Sequence, residues 1–360
     1  MADFRSFARS KRLPAEAMQP VVDPAAWDAE TLGCVDDFSY AITDRDAEEL
    51  VTGVVAFRHH GLPIEDVSRD NFPLHRFADV LADVRRELID GRGLVMLRNF
   101  PLQRLDREQQ AIAYLGLGAY LGKAMSQNKH GHILGHVKDL GGDYAEANTR
   151  GYMTRAEMRF HSDACDYVGL LCLQTAKSGG ASRVASAVTV YNRMLAQRPD
   201  LTGELCGDFY RSRSGEVNPG EESWIKHPIF CFADGYFSAI GLGTAVDKAQ
   251  KLPGVPPFTQ AQKDAIALYR TTVEACAVDM DFRPGDIQFL NNFVTLHTRR
   301  EFEDWPETDR KRHLLRLWLS DPSSRPLLKA VREGRTGRGV QLKGVKLVAP
   351  LDVTDAAEAA

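Results

Sequence analysis

The 360-residue sequence predicts a mainly β protein with flanking helices, in which an antiparallel sheet forms a sandwich or a barrel. Two observations lead to this fold class. Beyond residue 155, short apolar segments alternate with turn residues such as Gly179-Gly180 and Pro284-Gly285. Before residue 90, apolar residues instead recur at spacings of three and four, which is typical of helices that bury one face.

The first part of the chain contains three predicted helices and one predicted strand. Residues 46–61 and 77–93 have helical spacing, and each segment ends in glycine. Residues 93–101 (GLVMLRNFP) form a short buried strand that proline closes, and residues 106–122 return to helical spacing. We therefore expect helices to pack outside the sheet.

The second part of the chain is predicted to be mostly strands. One helix interrupts them over residues 259–277, where Thr259 and Gln262 have the spacing of a capping box. The predicted strands are residues 167–176, 183–190, 236–241, 279–292 and 314–320.

Composition excludes several classes of function. The formal net charge is −4, so the whole chain offers no electrostatic reason to bind nucleic acid or an anionic membrane. No segment approaches the roughly 20 apolar residues of a membrane helix, and residues 1–20 lack the apolar region of a secretory signal. The six scattered cysteines indicate reduced thiols, so we expect a cytoplasmic protein.

A candidate metal site begins with His161 and Asp163 in the segment RFHSDACDYVGLL. Residues two apart on a strand share a face, so the imidazole and the carboxylate can reach one ion. His297 follows another predicted strand and is the best candidate for a third ligand. Two histidines and one carboxylate suit non-haem Fe(II) with open positions, although zinc also accepts this set.

The same residues have simpler explanations when they are taken singly. Most histidine–x–aspartate pairs are surface polar residues, or they contain a core histidine whose hydrogen bonds are satisfied. A rival cluster of His130, His132 and His136 lies in a glycine-rich segment with Asp139 as its nearest carboxylate. A solvated or substrate-facing loop explains that cluster better than a metal site.

Two arginines near the end of the chain indicate an anionic ligand. Arg312 and Arg316 are four residues apart in a predicted strand and therefore share a face. Guanidinium groups in an otherwise apolar strand are costly unless an anion meets them, and their planar fork matches a carboxylate. Buried salt bridges to aspartate or glutamate are the alternative explanation.

These motifs, in this order, resemble the taurine dioxygenase-like Fe(II)/2-oxoglutarate oxygenases (TauD/TfdA), the group that also contains clavaminate synthase. The resemblance covers about residues 90–322, through HSD (161–163), KSGGASRVAS (177–186), GDIQFLNNFVTLHTR (285–299) and RHLLRLW (312–318). It implies a double-stranded β-helix, a jelly-roll or cupin-like barrel of two antiparallel sheets. The chain would then comprise a helical extension (1–90), an oxygenase domain (91–325) and a C-terminal tail (326–360).

The resemblance also implies roles for individual residues. His161, Asp163 and His297 match the metal ligands, and Arg312 and Ser182 match the residues that hold the far carboxylate of 2-oxoglutarate. Arg316 matches a position that meets either the keto-acid end of 2-oxoglutarate or an acidic substrate. Because Asp163 is present where halogenating members have a small residue, halogenation is disfavoured. Apart from the resemblance, Gln127 and Asn128 are polar residues between apolar runs, and with Asn292 they are candidate substrate contacts; a turn whose side chains bond the backbone explains Gln127 and Asn128 equally well.

The implied activity is that of a dioxygenase that uses Fe(II), 2-oxoglutarate and O2 to hydroxylate an unactivated C–H bond of a small organic molecule, and releases succinate and CO2. Two other classes stay open at this point: a non-catalytic metal-binding barrel, and a zinc hydrolase with the same three ligands. The arginines favour the enzyme over the non-catalytic barrel. Activity with zinc but not with iron would indicate the hydrolase. The substrate and the formation of a homo-oligomer are left open.

Overall fold

A large sheet and a small sheet, joined by a shared apolar cluster, form the centre of the fold. The computed structural model describes residues 11–142, 151–334, 339–340 and 342–353. The helices are α1 Ala29–Leu32, α2 Asp44–His59, α3 Arg76–Asp90, α4 Arg107–Ala119, α5 Ala187–Gln197, α6 Pro199–Leu205, α7 Thr244–Ala249, α8 Gln260–Ala275 and α9 Lys329–Gly334.

The strands are mostly short. They are β1 Ser39–Ala41, β2 Leu94–Arg98, β3 Lys123–Ala124, β4 Leu134–Val137, β5 Tyr167–Gln174, β6 Ser178–Gly179, β7 Ser182–Ser186, β8 Asp208–Ser212, β9 Trp224–Pro228, β10 Phe230–Ala233, β11 Tyr236–Ala239, β12 Val278–Met280, β13 Ile287–Asn291, β14 Thr295–Arg299, β15 Phe302–Glu303 and β16 His313–Ser320.

The large sheet has seven strands in the order β1-β2-β13-β5-β16-β3, and β4 also pairs with β16. Its pairings are antiparallel except for β1 with β2. The small sheet is antiparallel in the order β12-β7-β14. The pairs β8-β9, β10-β11 and β6-β15 form separate two-stranded sheets.

Alternation along β16 separates the two faces of the large sheet. Leu315 and Leu317 belong to an outer core with α2, α3 and α4, whereas Leu314 and Trp318 belong to an inner cluster. The inner cluster also contains Val184 of β7, in the small sheet. The space between the two sheets is therefore the interior in which polar residues of β14 and β16 can meet.

Several predicted elements agree with the structure, including the helices at 46–61, 77–93, 106–122 and 259–277. The Thr259–Gln262 capping box at α8 is also present. The predicted strand at 183–190 is wrong in its second half. The strand ends at Ser186, whose hydroxyl accepts a hydrogen bond from the Thr189 backbone N–H at 3.0 Å and caps α5.

Helices take a larger part in the fold than a mainly β prediction allows, because α5, α6 and α7 occupy the region between β7 and β12. The fold is mixed α/β with several sheets. Among the described residues, no helix is both long enough and apolar enough to cross a membrane.

Candidate metal centre and cavity

His161 and His297 stand directly opposite each other in an isolated antiparallel bridge. Each backbone N–H donates to the carbonyl oxygen of the other residue, both at 3.0 Å. The two imidazole rings have centroids 4.3 Å apart. Asp163 completes the group, with Oδ1 3.9 Å from His161 Nε2 and Oδ2 3.7 Å from His297 Nε2.

The histidine–x–aspartate pair does not open β5, as the sequence suggested, because that strand begins four residues later at Tyr167. Backbone pairing with β14 positions His161 instead. Asn292 anchors Asp163, since its Oδ1 accepts from the Asp163 backbone N–H at 3.0 Å. The Asn292 Nδ2 group donates to the Cys165 carbonyl oxygen at 3.2 Å.

The three side chains fit one metal ion. His161 Nδ1 lies 2.9 Å from the Arg159 carbonyl oxygen, and because a carbonyl can only accept, Nδ1 carries the proton. That bond leaves the Nε2 lone pair on the side of Asp163 and orients the ring, as it does in metal-bound histidines. Two donors that each lie about 2.2 Å from one ion are at most about 4.4 Å apart, and both carboxylate–imidazole distances fall within this limit.

Asp163 is buried yet favours its charged form. Burial raises its pKa, but Arg316, then His297 and then His161, lower it more, so the pKa lies well below the usual range. The Arg316 Nη1 atom is 3.5 Å from Asp163 Oδ1. An ionised carboxylate beside two imidazoles is the state in which this group coordinates a cation.

Arg316 is held in position on several sides. Its Nε donates to Gln127 Oε1 at 2.8 Å, and Gln127 Nε2 donates back to the Arg316 carbonyl oxygen at 2.9 Å. The guanidinium carbon lies 4.5 Å from the ring centre of Tyr152 and 4.9 Å from that of Trp318. These contacts place a fixed positive charge next to the candidate metal ligands.

Arg312 occupies a different place from Arg316. It lies one residue before β16, and the pairing register shifts between His313 and Leu314, which interrupts the alternation expected from the sequence. The side chain is 5% exposed, and within the described residues its Nη1 atom has no hydrogen-bond partner. Burial lowers its pKa to about 10, although Cys172 and Asp304 act in the opposite direction.

The turn before β7 lies against Arg312. Gly180 has a φ of +71°, and a Cβ atom at this residue would meet Arg312 Nε at 3.2 Å. A side chain there would press on the guanidinium, which explains glycine at this position. Ser182, two residues later, is buried and shares the inner face of β7 with Val184, the direct partner of His297.

The residues predicted to contact substrate have protein partners in this structure. Gln127 and Asn292 are bonded as described above. Asn128 accepts hydrogen bonds from the backbone N–H groups of His130 and His132, at 3.1 and 3.2 Å, as a turn residue does. Their contact with substrate stays a prediction.

The histidines at 130–136 do not form a joint site in this structure. His136 is buried, with its Nδ1 2.8 Å from Nε2 of His313 and its own Nε2 2.9 Å from the Pro350 carbonyl oxygen. Because that carbonyl accepts from Nε2, the proton between the two rings belongs to His313. Together with Asp352 these residues could in principle hold a cation, but the His–His hydrogen bond already explains their contact.

A cavity of about 290 Å³ opens at His161 and Asp163. Sequence reasoning missed several of its lining residues, because no spacing pattern connects them with the histidine–x–aspartate pair, even at Arg159, two residues before His161. Charge or aromatic character could have pointed to most of them, but Thr244 has neither. Those residues are Tyr152, Arg159, Arg211, Arg213, Thr244, Lys248 and Trp318.

Comparison with known proteins identifies the chain's family. Residues 59–318 match the family described as taurine catabolism dioxygenase TauD, TfdA family. FR-33289 synthase of Streptomyces rubellomurinus is 31% identical over 329 residues, covering 89% of this chain and 96% of that protein. Taurine hydroxylase-like protein SAT17 of Stachybotrys chartarum is 28% identical over 317 residues, covering 83% of this chain and 79% of that protein.

Solved structures agree with this family in fold. Asparagine oxygenase with Fe(II), 3-hydroxyasparagine and succinate has a TM-score of 0.60 at 18% identity, covering 78% of this chain and 93% of that chain. The non-haem iron oxygenase OrfP with Fe and α-ketoglutaric acid has a TM-score of 0.58 at 15% identity, again covering 78% and 93%. The chain belongs to the TauD/TfdA family and is an Fe(II)- and 2-oxoglutarate-dependent oxygenase.

Proposed function

We propose that this enzyme hydroxylates an unactivated C–H bond of a small molecule, with His161, Asp163 and His297 as the iron ligands. The convergence of these three donors, beside a small cavity that His161 and Asp163 line, is the observation that carries the proposal. Family membership separates the chain from a non-catalytic barrel or a zinc hydrolase. The likeness in fold to asparagine oxygenase and OrfP also supports a double-stranded β-helix for the two central sheets.

The buried arginine away from the ligands is the proposed anchor for 2-oxoglutarate. Arg312 has a buried Nη1 atom whose hydrogen bond the described residues do not satisfy, and the far carboxylate of the cosubstrate would complete it. Ser182 lies on the same inner face of β7 as Val184, the strand partner of His297, and its hydroxyl would donate a hydrogen bond to that carboxylate. Arg312 would set the affinity for 2-oxoglutarate, and iron binding by the metal ligands would not depend on it.

When bound, Fe(II) together with 2-oxoglutarate supplies oxidation of a C–H bond by O2, with succinate and CO2 as coproducts. The protein's part is placement. Asn292 holds the Asp163 backbone, and Arg316 holds a positive charge 3.5 Å from the Asp163 carboxylate. We assign Arg316 to the keto-acid end of 2-oxoglutarate, and Gln127 to fixing the plane of its guanidinium through the Nε bond.

Relatives with solved structures support a small-molecule substrate. The asparagine oxygenase structure holds 3-hydroxyasparagine, and an OrfP structure holds 3-hydroxyarginine, each with succinate. The cavity volume of about 290 Å³ lies at the small end of the range for ligand sites. We propose that the substrate here is a compact organic molecule bound beside His161. The division of the chain at residues 90 and 325 likewise remains a proposal.

The test is a screen for succinate release with Fe(II), ascorbate, 2-oxoglutarate and a library of small molecules, in wild type and in Asp163→Ala. The substitution removes the anionic ligand and leaves two neutral ones, so we expect iron affinity and turnover to collapse. Arg183→Lys is a suitable control, because Arg183 bonds Glu274 and Asp279, and none of the three lines the cavity. Unchanged iron affinity and turnover in Asp163→Ala would remove Asp163 from the ligand set.

A further inference from the structure

Gln288 carries a buried amide that its neighbours do not satisfy. The residue lies on β13 and is 0% exposed, and within the described part of the chain neither Oε1 nor Nε2 has a hydrogen-bond partner. An amide that is buried without hydrogen bonds lowers the stability of the folded protein, so its presence needs an explanation. A polar ligand that enters the interior would supply the missing bonds.

The side chain of Gln288 points into the space between the two central sheets. Its neighbours along β13, Ile287 and Phe289, belong to the outer core, whereas Leu290 belongs to the inner cluster. Successive residues of a strand alternate between faces, so Gln288 shares the inner face with Leu290. Leu170, directly opposite Gln288 on β5, is also a member of the inner cluster. The amide is therefore surrounded mainly by apolar side chains.

The inner face of the large sheet connects Gln288 with both arginines. Leu170 pairs with Gln288 on one side and with Arg316 on the other, so the three residues form one row across the sheet. Cys172, two residues along β5, is the diagonal neighbour of Gln288, at about 7–8 Å, within reach of a long side chain. Burial raises the pKa of the Cys172 thiol to about 12, and the charge of Arg312 opposes this shift, which places Arg312 near the same thiol.

This position favours the cosubstrate over the substrate as the partner of the amide. Neither Gln288 nor Arg312 lines the cavity at His161 and Asp163. Among the described residues, Arg312 also has no partner for its buried Nη1 atom. One carboxylate can accept hydrogen bonds from both side chains, because its two oxygens together offer about four lone-pair positions.

We infer that Gln288 binds 2-oxoglutarate, with its Nε2 group donating a hydrogen bond to the far carboxylate that Arg312 clamps. Arg312 supplies the charge from the β16 side of Cys172, and Gln288 supplies a neutral donor from the β13 side. Keto acids that lack this carboxylate are then rejected, because they leave a buried amide and a buried guanidinium unpaired. The inference rests on the proposed role of Arg312 as the anchor of the cosubstrate.

Two keto acids of equal length test this inference. They are 2-oxoglutarate and 2-oxovalerate, in which a methyl group replaces the far carboxylate. Each is titrated by isothermal titration calorimetry into the full-length protein loaded with redox-inert Mn(II). We expect Gln288→Met to lower the affinity for 2-oxoglutarate by roughly 10-fold or more, through the loss of one hydrogen bond to a charged group. The affinity for 2-oxovalerate should stay unchanged, because that ligand has no group at this end to accept the bond.

A second variant and a control separate this effect from damage to the fold. Gln288→Asn keeps the amide but withdraws it by one methylene group, so it should lose affinity for 2-oxoglutarate as Gln288→Met does. Ser238→Ala is the control, because Ser238 is also 0% exposed, its hydroxyl has no partner among the described residues, and β11 belongs to neither central sheet. Melting temperatures of the metal-free proteins show which variants fold, and where one Gln288 variant does not, the other decides.

Unchanged affinity for 2-oxoglutarate in the folded Gln288 variants overturns the inference, and a buried water is then the partner of the amide. An equal loss of affinity for 2-oxovalerate also overturns it, because the effect would not involve the far carboxylate. If only Arg312→Lys, measured in parallel, loses the preference for 2-oxoglutarate, the proposed anchor stands and this inference falls. If wild type binds the two keto acids equally, the proposed role of Arg312 fails as well.

Discussion

Replacement of Arg312 by lysine isolates the contribution of the guanidinium fork. The side chain is 5% exposed, and among the described residues its Nη1 has no hydrogen-bond partner of its own. Lysine keeps the positive charge but cannot offer two parallel N–H groups to a carboxylate. A hydrogen bond to a charged group contributes about 1.5–3 kcal/mol. The loss of one such bond therefore weakens 2-oxoglutarate binding by roughly 10- to 150-fold.

The assay is an anaerobic titration of the Fe(II) protein with 2-oxoglutarate, followed through the visible band that the cosubstrate produces on iron. Iron affinity is measured separately and should not change, because Arg312 is not among the metal ligands. Burial lowers the pKa of a lysine as it lowers that of Arg312, so a repeat at pH 6.5 checks that the lysine is charged. Arg183→Lys, at a buried arginine paired with Glu274 and Asp279, is the matched control.

Two results would refute this reasoning. If Arg312→Lys binds 2-oxoglutarate as tightly as wild type, the buried guanidinium has a structural role only. If the Arg183→Lys control loses the same affinity, the effect comes from disturbance of the sheets and not from the lost fork.

Three further predictions follow from the same contacts. If Arg316 contacts the keto-acid end of 2-oxoglutarate, Arg316→Leu should strongly reduce succinate release even without substrate. If succinate release persists while substrate binding weakens, Arg316 instead contacts an acidic group of the substrate. Gln127→Leu should also lower succinate release, but less strongly, because it leaves the buried Arg316 Nε donor without its partner at a cost of about 1–3 kcal/mol. Succinate release at the wild-type rate, with only substrate binding weakened, would make Gln127 a substrate contact instead. Burial lowers the pKa of His136 to about 4, below its value of about 6.5 in the unfolded chain. Between these pH values the unfolded chain therefore binds more protons than the folded protein. Acidification to pH 4 should then lower the free energy of unfolding by about 3 kcal/mol. Denaturant titrations of wild type and His136→Asn check this, and equal acid destabilisation of the two proteins would contradict it.

The candidate metal ligands and the need for an anion near the arginines could be predicted from residue types and their order along the chain. Few side chains bind iron, so His161 and Asp163 followed by a distant histidine leave a small number of possible sites. A guanidinium in the apolar segment LLRLWL requires an anion or a partner, whatever the fold. Helices with regular apolar spacing, such as α2 and α3, could also be predicted from the sequence, because that spacing places the apolar residues on one buried face.

The local sequence pattern did not predict secondary structure correctly where tertiary contacts determine it. Residues 187–190 contain a β-branched run that is typical of a strand, yet Ala187, Val190, Tyr191 and Met194 are buried at the three- and four-residue spacing of one side of α5. The N-cap at Ser186 and the packing of that side determine the helix, and propensity alone does not reveal either.

Only the tertiary structure decided how the site is assembled. Backbone pairing of His161 with His297 joins residues 136 positions apart, and no periodicity encodes that register. Gln127 meets Arg316 across 189 positions. Gly241 and Gly243 bring the segment before α7 against His161, since a Cβ atom at these glycines would lie 3.0 Å and 3.1 Å from the His161 carbonyl carbon and Cβ. A sequence determines which chemical groups are available, whereas packing determines which of them share one low-dielectric cavity and can act together.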